Sequence, residues 1–233
     1  MPVSRRLTRD FNLFVTSIGA SLLSTAHRLY VAMPTLELVC KRLFADSPWF
    51  LKCIVGALLL VIPIAQFFVF GYLYALIERA RRGDTVILPD WGEWKRLFYD
   101  GIVAFVIFLV LGVLPIAVAW LLTLPLRVFD FGVFVYLPMV PVVMVAGPLV
   151  VAGIYQYQKR EQYADAFRFQ VLGAMLRSAQ SRFVLPTLAL IGLLVAGYPL
   201  MTFTVFVAMA GSWTYYAATY RIIEESRRSG IKP

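Results

Sequence analysis

Apolar residues in this chain fall into long runs, and most charged residues collect between them. Residues 50–76 form a mainly apolar run, long enough to supply the roughly 20 residues that carry a helix across a hydrocarbon core. Pro63 lies in the middle of this run and predicts a kink, or relief of the freed backbone by a neighbour. A second run covers 102–124, interrupted only by Gly112 and Pro115. A third covers 131–157 and contains Pro138, Pro141 and Pro148. Three prolines in one span predict a broken or strongly bent helix, either a kinked packing element or irregular backbone lining a cavity. Residues 183–222 are too long for one ordinary span at about 1.5 Å per residue. Gly197-Tyr198-Pro199 offers a break, giving spans at 183–197 and 200–222. The first of these is short, and is either a full span or a re-entrant one.

The N-terminal pattern differs. Residues 11–33 carry apolar side chains at helical spacing, with Asn12, Thr16, Ser24, His27 and Arg28 on the opposite face. This reads as an amphipathic helix lying in the membrane interface. The alternative is a further span packed through Ser17 and Ser21. Residues 36–44 make a second short amphipathic piece, after which Ser47 reads as an N-cap and Pro48 as the first helical residue. Met1–Asp10 is basic, but the run that follows lacks a clean signal-peptide cleavage site. The expected fold is an all-α, polytopic membrane bundle. Residues 1–47 form an interfacial segment and 48–233 a transmembrane domain of about five spans, or six if 11–33 cross. The first span runs to about residue 77.

The connection after the first span has the richest local grammar. Glu78 can pair with Arg81 and Arg82 at helical spacing. Gly83 is placed to end the helix in a left-handed conformation, and Pro89 follows in an extended segment. Asp90 reads as an N-cap with Glu93 three residues on, a capping-box variant. The helix that follows carries Trp91, Trp94 and Phe98 on one face, suited to headgroup depth. In the later polar stretch, Asp165 is placed to cap a helix that shows Phe169, Leu172 and Leu176 on one face.

Several of these residues also occur together in a known family. Pro48-Trp49, Gly71-Tyr72, Arg81-Arg82-Gly83, Leu88-Pro89-Asp90-Trp91, Asp100-Gly101 and Ala166-Phe167-Arg168-Phe169 appear in matching order over roughly residues 48–180. In them the chain resembles domain of unknown function 4013, polytopic membrane proteins of bacteria and archaea. The resemblance implies architecture; it carries over no catalytic residue.

Composition sharpens the picture. The 233 residues are 61% hydrophobic and only 15% charged, which sets the chain apart from soluble domains. Two cysteines and one histidine exclude a Cys/His zinc site and a disulfide framework. The net charge of +9 sits on residues flanking apolar runs, so anionic lipid headgroups, not nucleic acid, are the expected partner. Of the 22 Lys and Arg residues, 14 fall in loops 78–101 and 158–182 and at the C-terminus. That bias places these segments in the cytoplasm and the protein in the inner (plasma) membrane. An echo supports the topology: Tyr74, Ile77, Glu78, Arg81 and Arg82 recur at identical spacing as Tyr220, Ile223, Glu224, Arg227 and Arg228.

Candidate chemistry is sparse. The second and third spans hold no ionisable Asp, Glu, Lys, Arg or His, groups that proton relays and intramembrane hydrolases use. The carboxylates of 84–100 could hold a metal or act as an acid/base pair, but capping and pairing with nearby arginines account for them. No catalytic, metal or cofactor site is expected. Gly83, Pro89, Asp90, Trp91, Glu93, Trp94, Arg81, Arg82, Phe167 and Arg168 are expected to act structurally or at the interface. The expected role is a non-enzymatic scaffold or accessory subunit of a membrane complex, with a membrane protein partner or a homo-oligomer. The alternative is a lipid or small-molecule transport or channel component built on the proline-broken third span.

Overall fold

The computed structural model describes residues 35–84, 86–127 and 132–228, and every regular element among them is helical. The chain divides into two compact units, residues 34–221 and residues 222–233 with 1–33. The described part of the second unit is the end of the last helix, where Arg228 pairs with Glu224 at 2.8 Å. The interfacial or spanning segment expected at 11–33 and the connection at 128–131 lie outside the described residues.

The first unit starts with α1, Leu36–Leu43, capped by Thr35, whose hydroxyl accepts from the Leu38 N–H at 3.3 Å. Its buried residues are Val39 and Leu43, and Glu37 pairs with Lys41 on the exposed face. The expected amphipathic piece at 36–44 is therefore a helix. Next comes α2, Trp49–Val61, with Pro48 at its N-cap position and no side-chain cap. Ser47 does not cap it, a one-residue correction.

The run 50–77 is not one helix. α2 ends at Val61, Ile62 is extended, and α3 begins at Gln66 and runs to Arg82. Pro63 has no N–H to continue the ladder, and its ring crowds the carbonyl four residues back. Gln66 completes the break: its side-chain amide donates to the Leu60 carbonyl at 3.1 Å, an acceptor that the broken ladder leaves open.

From α3 the chain passes through residues 84–93 into α4, Trp94–Phe108. α4 continues through a π-helical turn, Leu109–Val113, into α5, Leu114–Arg127. The wider turn sits just ahead of Pro115, where a regular helix would drive the proline ring into the Leu111 carbonyl. A 3-10 turn, Gly132–Tyr136, leads into α6, Met139–Arg160.

The expected break in the third span does not occur; α6 is continuous over 22 residues. Pro138 is its N-cap and Pro141 lies in its first turn, where backbone N–H groups have no intrahelical acceptor in any case. Only Pro148 lies in the helix interior.

A short helix, α7 (Tyr163–Ala166), and α8 (Phe169–Ala196) follow. α8 turns by 85° between Ala179 and Ser181, so the expected helix bearing Phe169, Leu172 and Leu176 and the expected 183–197 span form its two arms. A 3-10 turn at Tyr198–Leu200 makes the expected break, and α9, Met201–Arg228, ends the described chain. Among the described residues, two stretches are long and apolar enough to cross a membrane, Trp94–Leu126 and Phe134–Arg160. The bent pair in α8 makes a third if it counts as one span.

The interior joins α3 to its neighbours through glycines. A Cβ on Gly71 would collide with the Leu97 carbonyl, and one on Gly101 with the Phe67 carbonyl. α3 and α4 therefore cross backbone to backbone, which places Phe67 against Phe98 and Phe105 in edge-on pairs. Tyr72, Leu73, Leu76, Ile77, Ile107 and Leu111 are fully buried around this crossing.

Candidate functional site

The segment between α3 and α4 is clasped to the bundle by side chains from α2 and α3. It begins at Gly83, with φ of 83°, whose N–H closes on the Arg79 carbonyl as expected of a left-handed helix end. A side chain there would also meet the Arg221 guanidinium. Arg79 then reaches back to the Ile87 carbonyl at 3.1 Å.

Lys52 is the centre of the clasp. It lies on α2 in an apolar run, with its side chain 10% exposed. An ammonium has three N–H donors and no acceptor. Here the three acceptors are Asp46 Oδ2 at 2.8 Å, Asp90 Oδ1 at 2.8 Å and the Leu88 carbonyl at 3.0 Å. Full satisfaction is what lets a lysine sit this deep. The hydrogen bond from Lys52 holds the Asp90 carboxyl below its ordinary pKa.

The rest of the Leu88-Pro89-Asp90-Trp91 sequence is held as firmly. Leu88 is buried. The Tyr72 hydroxyl donates to the Pro89 carbonyl at 2.8 Å. Trp91 stacks on the Tyr72 ring at 4.2 Å between centroids, and its indole N–H donates to the Lys52 carbonyl at 3.1 Å. Each residue of the motif thus has a separate attachment.

Two expectations about this segment need correction. Asp90 is not an N-cap. α4 starts at Trp94, with Glu93 at the cap position and no side-chain capping bond; the Asp90 carboxylate is on Lys52 instead. Trp91 does not share a helical face with Trp94 and Phe98, because it precedes the helix. The three rings still join one aromatic network. Trp91 stacks with Trp94 at 6.0 Å, and Phe68 touches both Trp94 and Phe98 at 5.4 Å.

Beside the clasp, acids gather on one arginine. Arg96 contacts Glu78 at 2.8 Å, Glu93 at 3.2 Å and Asp100 at 3.4 Å. Glu78 also pairs with Arg82, as expected, whereas Arg81 does not pair with it. Arg81 instead donates to Gln158 Oε1 at 3.4 Å, and the Gln158 amide donates to the Tyr74 carbonyl at 2.9 Å. No cluster of three or more His, Cys, Asp or Glu among the described residues is arranged to hold a metal.

Phe167 and Arg168 lie in a separate loop. Phe167 ends α7 and is half-buried; Arg168 stands at the start of α8 and pairs with Asp165 at 3.0 Å. Asp165 lies inside α7 and caps no helix, a further correction. Lys52, Asp46, Gln158 and the pairing role of Asp165 were missed in the sequence reading. Lys52 had one usable signal: it is a lone cation just inside an apolar run.

A family model described as "Protein of unknown function (DUF4013)" matches residues 54–207. No curated protein and no solved structure matches the chain.

Proposed function

The chain belongs to the DUF4013 family of proteins of unknown function, and we propose that it is a non-enzymatic scaffold or accessory subunit of a membrane complex. In this reading it is a multi-pass protein of the inner (plasma) membrane with about five spans. Loops 78–101 and 158–182 and the C-terminus face the cytoplasm, where a basic, amphipathic surface meets anionic headgroups and a membrane protein partner or a second copy.

One observation carries the proposal: among the described residues, every buried side-chain polar atom except Asp165 Oδ2 has a hydrogen-bond partner within the fold. Lys52 is saturated by the clasp, and three carboxylates are drawn to Arg96. The buried hydroxyls of Ser212, Thr214 and Thr219 donate back to carbonyls four residues earlier in their own helix. Such groups serve packing and leave little to bind or convert a solute. Purification in mild detergent followed by mass spectrometry tests the reading. A stoichiometric protein partner or a stable homo-oligomer is expected, and a lone monomer that moves a solute across reconstituted vesicles would overturn it. Reporter fusions at Gly83 and Pro233 should both read cytoplasmic, and a periplasmic signal at either would reverse the orientation.

A second reading, transport of a lipid, has one observation in its favour. A cavity of about 280 Å³ lies beside the π-helical turn, lined by Leu111, Pro115, Pro141, Val142, Val145, Ala146 and Leu149. Its lining is wholly apolar, which suits an acyl chain and not a polar solute.

A further inference from the structure

The loop after α6 gathers two arginines on one acid. α6 ends at Arg160, Glu161 turns the chain in a left-handed conformation, and α7 brings Asp165 back beneath it. Asp165 is only 8% exposed. Arg168 Nη1 lies 3.0 Å from Oδ1, and Arg160 Nη1 lies 3.8 Å from Oδ2. Oδ2 is buried and has no hydrogen-bond partner among the described residues, so Arg160 stands at ion-pair range without closing the bond. Both arginine side chains remain largely exposed, at 68% and 60%.

One carboxylate thus holds two guanidinium groups together while using only part of their donor capacity. Each guanidinium carries five N–H donors in a planar fork that matches two oxygens of a phosphate. The trio has a net charge of +1, so an anion is the complementary ligand. Exposed Tyr163 and Phe169 flank the pair. α6 belongs to a stretch apolar enough to cross a membrane and ending at Arg160, so the pair stands where hydrocarbon gives way to headgroups.

We propose that Arg160 and Arg168, held by the buried carboxylate of Asp165, form a binding site for the phosphate group of an anionic phospholipid. The flanking aromatic rings select a lipid over free phosphate, because amphipathic rings are favourable at headgroup depth. The site rests on the reading above that this face of the bundle meets a bilayer, but not on the scaffold role.

The test uses the full chain in detergent, where no membrane surface supplies a general field. Native mass spectrometry would count bound phosphatidylglycerol and phosphatidylcholine during titration. The wild-type chain should retain one phosphatidylglycerol in preference to phosphatidylcholine. The triple variant Arg160→Gln/Asp165→Asn/Arg168→Gln, which leaves no buried charge unpaired, should weaken that retention by about tenfold or more. The charge-matched control Lys95→Gln, which lowers the net charge by one as the triple variant does, should not. If the triple variant fails a thermal-unfolding check, Arg168→Gln alone alters an exposed side chain and should still weaken retention by about tenfold. Equal retention by wild type and a folded variant would overturn the site. Displacement of the lipid by millimolar inorganic phosphate would overturn the lipid assignment. A lone monomer that moves a solute would sink the scaffold reading and leave these measurements untouched.

Discussion

α3 and α6 end alike, and their loops then diverge. Each helix stops in a left-handed residue whose N–H bonds to the carbonyl four residues back, from Gly83 to Arg79 and from Glu161 to Tyr157. Each loop then carries an aspartate drawn to basic side chains. In the first loop the end residue is glycine and the lysine facing Asp90 is saturated. In the second the end residue is glutamate, at φ of 54°, and one oxygen of Asp165 is left without a hydrogen bond. The same helix end can therefore serve a closed structural joint or one with binding capacity in reserve. The deciding factor is how completely the loop's charges are used.

Breaking the closed joint should give the largest effect. Lys52→Met removes three hydrogen bonds, one of them to the buried Leu88 carbonyl. A hydrogen bond from a charged group is worth about 1.5–3 kcal/mol, and Asp46 and Asp90 regain water in the variant. We therefore expect a loss of about 2–3 kcal/mol. Thermal or denaturant unfolding in detergent measures it. A loss below about 0.5 kcal/mol would mean that the loop is not held by Lys52.

Exchanging the two end residues sharpens the comparison. Gly83→Ala places a Cβ in a left-handed position and against the Arg221 guanidinium. It should cost about 1–2 kcal/mol. Glu161→Gly relieves the same conformational strain and should stabilise by about 0.5–1 kcal/mol, partly offset by the added freedom of the unfolded chain. The two changes should have opposite signs in the same unfolding assay. If both destabilise, the left-handed conformation of Glu161 is not the source of strain.

The smallest effect should come from Asp90, whose side chain is 91% exposed. Its pKa is lowered in the fold by the hydrogen bond from Lys52. A depressed carboxyl contributes stability that is fully present above its unfolded pKa and is lost as pH falls through the folded one. Asp90→Asn should thus slightly reduce stability at neutral pH and flatten this part of the acid limb. A variant with an unchanged profile would show that Asp46 and the Leu88 carbonyl hold Lys52 without help.

What could be read from the sequence was local. Gly83 needs only its neighbours to end a helix, and the pairing of Glu78 with Arg82 follows from helical spacing. The Asp90 reading failed because the capping pattern is also local, whereas the charge that claims Asp90 sits on α2. Arg81 was misassigned in the same way, since Gln158 lies 77 residues further along. The prolines teach a related lesson. Three in the third run suggested a break and one in the first a kink. Two of the three occupy helix-start positions, where a missing N–H is harmless, while Pro63 falls just past Val61, where the ladder of α2 would otherwise run on. Position within the element, which composition does not record, decides the outcome.

The glycine crossing of α3 and α4 has a consequence for biogenesis. Its contacts and those of the Lys52 clasp join residues between Asp46 and Gly101, all near one another along the chain. Synthesis runs from the N-terminus, and domains fold largely in that order. Local contacts also form faster than distant ones. The pair can therefore lock its register while the later helices are still being made, and offer them a finished template on entry. A bulky residue at Gly71 or Gly101 would then act early, leaving a nascent chain with two unpaired helices for quality control to remove.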